Sequence, residues 1–167
     1  MRGPGIPGGC LPSDRADHCD LFATLLDAAG CSVQEILARQ HSPGESLFPA
    51  LKHSNSPRRD LQFSESGPNR MVRTATEKLI LRYPYPSGLP VHHEYYDLSA
   101  DPRETINRYE DPAYSNRIKE LRGELEAFFR DFSEASMDGL GAGLKRTHNS
   151  NNLWEILPGQ TDHRQGD

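Results

Sequence analysis

Residues able to do chemistry are few and scattered in this chain. His92 and His93, followed by Glu94, form the densest group, and imidazole is the side chain that exchanges a proton near neutral pH. Neighbours on a strand point to opposite faces, so at most one of the two histidines can aim into a cleft. A hydrolase built on one of them has composition alone behind it. Cys10, His18, Cys19 and Cys31 lack the paired C-x2-4-C spacing of a structural zinc site. Asp14, Asp17 and Asp20 stand three apart, without the glycine and terminal glutamate of a calcium loop. Arg70 has an ordinary role open to it as a strand-end ion pair with Glu65 or Glu94. The late basic run LKRTHNSNN, holding Lys145, Arg146 and His148, reads as a hydrophilic loop. There is no G-x-S-x-G elbow, no P-loop and no N-glycosylation sequon.

The elements that would position these residues are legible mainly between Leu61 and Asn107. Met71–Val72, then Leu79, Leu81 and Tyr83, then Tyr95, Tyr96 and Leu98 are short apolar groups separated by charged and turn residues, as in strands joined by hairpins. Lys78–Tyr83 alternates, which buries one sheet face. Asp101–Pro102 ends the stretch, because proline removes a ladder donor. Asp111 as cap and Pro112 at the first helical position start a helix whose stripe is Tyr114, Ile118, Leu121, Leu125, Phe128 and Phe132; it should lie across the sheet. Glu126 and Arg130 would support it as an i, i+4 pair, and Gly123 costs it about 1 kcal/mol.

Upstream, Asp20 to Ala29 reads as a short helix capped by Asp20, with Leu21, Phe22, Leu25, Leu26 and Ala29 on one face and Gly30 at its end. Ser32 and Glu35 have capping-box spacing, and Ser46–Lys52 forms a further helical turn with Leu47, Phe48 and Leu51 on its apolar side. The Arg58–Arg59 pair reads as a solvated turn. Beyond Ser133 the pattern fades into glycines and polar residues, with one apolar cluster around Trp154.

The totals set bounds. A chain of 167 residues is one domain's worth, and about one residue in five is Leu, Ile, Val or Phe, so the core is thin. Fourteen glycines and thirteen prolines add long connections. A net charge of −5 without a Lys/Arg stripe argues against nucleic acid as a partner. No apolar run approaches the roughly 20 residues that span a bilayer, and MRGPGIPGG has no signal-peptide core, so no membrane role is expected and the compartment stays open. Three cysteines cannot all pair within the chain, which favours free thiols.

The ordered phrases FSESGPNRMVRT, EKLILRY, YYDL and DPRETIN resemble the C-terminal region of the type I, formylglycine-dependent sulfatases, an alkaline-phosphatase-like superfamily. Phe63–Glu65, Arg70–Thr74, Lys78–Tyr83, Tyr95–Leu98, Asp101–Pro102, Glu104 and Asn107 carry the likeness. GPGIPGG, CDLFATLLDAAG and SLFPALK are similar to the family's preceding loop, helix and turn, so the resemblance spans about residues 3–132. It implies an α+β fold: an antiparallel sheet of about four strands packed by a C-terminal helix (61–132), preceded by remnant helices of an alkaline-phosphatase-like α/β domain (1–60) and followed by an irregular tail (133–167). In the resembled fold the 20–29 helix covers a central sheet, much of which would be missing here, so it either finds another partner or exposes its stripe, at roughly 1.5–3 kcal/mol for each uncovered Leu or Phe.

The resemblance also implies chemistry. The family hydrolyses sulfate esters with a formylglycine made from the cysteine of C-x-P-S-R, a calcium or magnesium held by Asp and Asn, and assisting lysines and histidines. All of these precede the PGI loop, so none is expected in this chain: no catalytic residue, no metal ligand and no cofactor. Cys10-Leu11-Pro12-Ser13-Asp14-Arg15 comes within one residue of the nucleophile motif, but Asp14 stands at the arginine position, and a carboxylate there repels sulfate. By analogy with the family's C-terminal sheet, Arg70, His92, His93 and His148, with Lys145 and Arg146, are candidates for the rim of a substrate pocket. Two readings follow. One is the C-terminal fragment of a sulfatase, inactive alone, whose partner would be the missing N-terminal half. The other is a non-enzymatic binding module, or the complementing half of a split enzyme.

Overall fold

The computed structural model describes Ile6 and residues 15–52, 59–67, 69–83 and 90–133. The chain divides into two compact units, Met1–Gln62 and Phe63–Asp167. Among the described residues, no helix is long and apolar enough to cross a membrane.

The first unit holds α1 (His18–Ala28), α2 (Val33–Arg39) and α3 (Phe48–Lys52). Asp17, not Asp20, caps α1. Its carboxylate accepts the amides of Cys19 at 2.9 Å and Asp20 at 3.1 Å, while Asp20, at the third helical position, accepts the Asp17 amide at 3.0 Å. That reciprocal capping box starts the helix earlier than a cap at Asp20 would. At its other end Gly30 takes φ +71°, and the amides of Gly30 and Cys31 reach back to the carbonyls of Asp27 and Leu26. The box expected at Ser32 and Glu35 does not form: Ser32 precedes α2 with φ −72° and ψ 81°, away from extended cap geometry, and its side chain makes no capping bond.

The buried face of α1 is its polar one. Asp20, Ala23 and Thr24 are buried, whereas Leu21, Phe22 and Leu25 are exposed by 42%, 42% and 60%. Hydrogen bonding explains the choice. The Glu45 amide donates to Asp20 at 2.9 Å and the Leu47 amide to the Thr24 hydroxyl at 2.8 Å, which docks residues 45–47 on that side. Gly44 makes this approach possible, since a Cβ there would stand 2.3 Å from the Cys19 carbonyl oxygen. The apolar stripe is therefore left open, one of the two outcomes expected for it. α3 buries Ala50 and Leu51.

Arg59 is not a solvated turn residue. Its guanidinium donates to Asp17 at 2.5 Å, to both Asp20 oxygens at 2.8 Å and to the Pro43 carbonyl at 3.0 Å. A carboxylate with no solvent exposure needs a paired cation, and Arg59 is that cation for Asp20. Arg58 lies outside the described residues.

In the second unit β1 (Gln62–Ser66), β2 (Asn69–Arg73), β3 (Glu77–Arg82) and β4 (Glu94–Asp97) form a four-stranded sheet in sequence order. The expected small α+β arrangement is present: an antiparallel sheet with a C-terminal helix on one face. Val72 opposes Leu79, Arg70 opposes Leu81, and Leu79 opposes Tyr95, so these share a face. Val72, Leu79, Leu81 and Tyr95 are at most 1% exposed. The Thr74 hydroxyl, accepting the amides of Thr76 and Glu77, closes the β2–β3 turn. On the opposite face Lys78 pairs with Glu104 and Arg82 with Glu94.

α4 (Ser115–Phe132) covers the apolar face, packing on β2 and β3 with Ile118, Leu121 and Leu125 buried. Asp111 caps as expected, but the first turn, Pro112–Tyr114, is a 3-10 turn. The helix runs through Gly123, which faces open space. Phe128 stacks on Phe63 of β1, with ring centroids 4.0 Å apart. Arg130 pairs with Asp131 instead of the expected Glu126.

Residues 98–111 close the outer edge of β4. Asp101 accepts the amides of Thr105 at 2.7 Å and Ile106 at 2.8 Å, folding the turn, and Glu104 takes φ +57° within it. Asn107 then accepts the amides of Tyr95 at 3.0 Å and Tyr109 at 2.9 Å and donates to the His93 carbonyl at 3.0 Å. The Arg108 amide donates to the Tyr95 carbonyl at 2.8 Å.

Two predictions follow from these networks. Arg59→Ala should lower unfolding free energy by about 3 kcal/mol in urea titration, the cost of leaving a buried carboxylate without its cation, with Arg59→Lys intermediate. An Arg59→Ala variant as stable as the parent would refute the clamp. Asn107→Ala removes three hydrogen bonds at a partly exposed edge and should cost about 1–3 kcal/mol, with amide exchange quickened first at Tyr95 and Tyr109. Unchanged exchange at those two amides would show that the edge holds without it.

Candidate functional site

The apolar layer between the sheet and α4 is closed at each end by polar side chains. At the end nearer the start of α4, Glu77 accepts from Arg117 Nη2 at 2.7 Å and from the Tyr95 hydroxyl at 2.7 Å, and Arg117 also reaches Glu120 at 2.9 Å. Hydrogen bonding from Arg117 holds the Glu77 carboxyl below its usual range, against the opposing effect of burial. Burial, reinforced by Glu77, pushes the Tyr95 phenol up, and the Glu77 hydrogen bond raises Arg117 in turn. Every group here is committed to a partner, so this end is a strut.

The other end gathers cations and rings, and it is the candidate site. Arg70, 8% exposed, donates to Glu65 at 2.9 Å and lays its guanidinium 4.1 Å from the Phe129 ring and 5.8 Å from the Tyr83 ring. Burial raises the Tyr83 phenol, with Arg70 opposing. His93 is half-buried just before β4. Its Nδ1 accepts the Arg82 amide at 3.1 Å, and its ring meets Tyr109 edge-on at 4.9 Å. The Tyr109 hydroxyl accepts from Arg122 of α4 at 2.5 Å. Burial, then Arg122, lower the His93 imidazole from its ordinary value, while Glu110 opposes them.

Of the sequence-predicted rim residues, Arg70 and His93 thus come to the same end of the sheet, on the face that α4 covers. His92, next to His93, is exposed. His148, Lys145 and Arg146 lie outside the described residues, as do Cys10 to Asp14 and Trp154. Tyr83, Tyr109 and Arg122 belong to the cluster but were not singled out as functional. Their signal was present in part, since Arg122 follows the buried Leu121 of the helix stripe, at the margin that meets a strand end.

Among the described residues no group of three or more His, Cys, Asp or Glu is arranged to hold a metal ion. The described residues therefore do not form a calcium or magnesium site of the kind the resembled family carries. Asp17 and Asp20 are spent on the helix cap and Arg59. Cys19 and Cys31 are free thiols, and burial followed by Asp17 pushes the Cys19 thiol up, the opposite of an activated nucleophile. This end brings guanidinium, phenol and imidazole groups together, with Arg70 already paired to Glu65.

No protein-family profile matches the chain, and the comparison with curated proteins yields no match. Solved structures do match. One protein, in complex with its substrate D-glucosamine-2-N,6-O-disulfate, is 26% identical with a TM-score of 0.51, over 68% of this chain and 24% of that one. The protein yidJ from Bacteroides fragilis, named as a candidate sulfatase, is 16% identical with a TM-score of 0.55, over 72% of this chain and 26% of its own. A phosphonate monoester hydrolase of Agrobacterium radiobacter is 19% identical with a TM-score of 0.50, over 71% and 25%. The chain spans about a quarter of the length of each structure. It has distant structural similarity to members of the sulfatase and alkaline-phosphatase-like superfamily, at low identity and over part of its length.

Proposed function

We propose that this chain is the C-terminal region of a sulfatase-type hydrolase of sulfuric esters, and that it has no turnover of its own. The observation that carries the reading is the 26%-identical match to a structure solved with a disulfated glucosamine, in which this chain corresponds to 24% of the length. In this reading the nucleophile and the calcium or magnesium ligands come from the α/β part that precedes such a region in the family, and that part is the partner of this one. The sheet and α4 then act as a scaffold whose cationic end, with Arg70, His93, Tyr109 and Arg122, borders the substrate. His92 and His148 are proposed as further rim residues. The second reading, a binding module without catalysis, is favoured by the exposed Leu21, Phe22 and Leu25 stripe, which offers an adhesive face.

Two assays test the proposal together. The purified 167-residue chain, shown folded by circular dichroism, should not turn over a chromogenic aryl sulfate with Ca²⁺ or Mg²⁺. Turnover abolished by Cys10→Ala would overturn the inactive-alone reading and make CLPSDR a nucleophile motif. In the second assay the chain replaces the corresponding C-terminal quarter of the glucosamine-disulfate-bound relative. Retained hydrolysis of that relative's substrate is expected; a folded chimera without turnover would favour the binding module.

A further inference from the structure

The β3–β4 pair is not closed by backbone bonds alone. Beyond the Ile80–Glu94 pairing, the Arg82 amide finds its acceptor in a side chain, the Nδ1 of His93. An amide can donate to that nitrogen only if it carries a lone pair, so the ring is neutral with its proton on Nε2. The ring also lies edge-on against Tyr109, and Tyr109 receives the hydrogen bond from Arg122. Three elements are thus tied through one imidazole: the end of β3, the 98–111 segment and α4.

We propose that the His93 side chain is a pH-sensitive latch, which when neutral holds the Arg82 amide, Tyr109 and Arg122 together and when protonated releases them. Protonation places an N–H on Nδ1 facing the Arg82 N–H, donor against donor, and adds a positive charge beside Arg122. The charged groups facing the ring are Arg122 of α4 and Glu110 of the 98–111 segment. Arg82 of β3 and Glu94 of β4 adjoin it and pair with each other, and the polar ring against it is Tyr109. One carboxylate therefore favours the charged ring, while Arg122 and burial disfavour it. The His93 carbonyl is held separately by Asn107, so release moves the side chain and leaves the strand edge in place.

The sign follows from linkage. The folded-state value lies below the ordinary imidazole value of about 6.5, so the unfolded chain takes up the proton first. The latch contributes its full stability above that pH, and the contribution is lost as pH falls from about 6.5 through the lower folded value. This inference requires nothing of the ester-hydrolase reading.

Amide exchange of the full chain, followed by NMR from pH 8 to pH 5, tests it. The protection factor of the Arg82 amide should fall about tenfold for each pH unit between about 6.5 and the lower His93 midpoint, while the amides of Leu79 and Tyr95 keep theirs. His93→Asn keeps an acceptor at the same reach from the backbone without a titrating proton, so Arg82 protection should be flat with pH. Arg122→Gln removes the facing cation and should raise the His93 midpoint toward 6.5. A flat profile in the parent chain, an equal fall in His93→Asn, or a His93 midpoint unmoved by Arg122→Gln would each overturn the latch.

Discussion

The second unit depends on how the open edge of β4 is satisfied. A sheet edge exposes unpaired amides and carbonyls, and a fifth strand is the usual remedy. Here an asparagine side chain and one backbone amide stand in for it. Asn107 accepts from Tyr95 and Tyr109, and the Arg108 amide reaches the Tyr95 carbonyl. Because these bonds fix the segment at Tyr95, Asp111 arrives where it can start a helix back across the apolar face. Removing the anchor would loosen both the edge and the launch point of α4. Asp101 supplies the turn that brings Asn107 there, and three backbone amides with the Thr105 hydroxyl hold its carboxyl below the usual range.

With that geometry set, the core is short, and its ends decide how it is finished. Val72, Leu79, Leu81, Tyr95, Ile118, Leu121 and Leu125 fill the centre. Past them, the sheet meets charged residues of α4 at both ends. At one end Arg117 finds the carboxylate of Glu77, and each charge is answered. At the other, Arg122 meets the neutral Tyr109 hydroxyl, and Arg70 divides itself between Glu65 and aromatic faces. The two ends are alike in construction and unlike in partners: ion pairs close one, and a phenol and aromatic faces share the cations of the other.

Strand positions and the long helix were legible because their periodicity follows from burying one face, as the alternation of Lys78–Tyr83 and the Ile118, Leu121, Leu125 spacing do. The first helix was legible as a helix, and an open stripe was one of its two expected outcomes, but its buried polar face was not legible. Periodicity identifies an apolar stripe, but which face is buried depends on partners 20 to 40 residues away: Glu45, Leu47 and Arg59 satisfy Asp20 and Thr24 at distances along the chain that no local pattern encodes. The same limit hid Arg59, which looked like half of a solvated basic pair. In the candidate site, Arg70 and His93 were named only through the resemblance to the family's C-terminal sheet. Tyr109 and Arg122 were not named, because their contact joins a loop to a helix and has no spacing signature.

The phrases that make this sequence recognisable prove to be architectural. Glu65 and Arg70 pair across the β1–β2 turn, Lys78 holds Glu104, the YYDL strand gives Tyr95 to the core, and the DPRETIN segment closes the edge. A likeness concentrated in such residues speaks first of fold, since each satisfies a buried or edge group that any chemistry on this scaffold would need satisfied. Function then has to be argued from what the scaffold leaves over. What remains is a ring-lined sheet end where an imidazole in an acceptor role meets guanidinium and phenol groups. Such an end suits positioning a charged group better than breaking a bond, because none of its members is presented as a nucleophile with a base behind it.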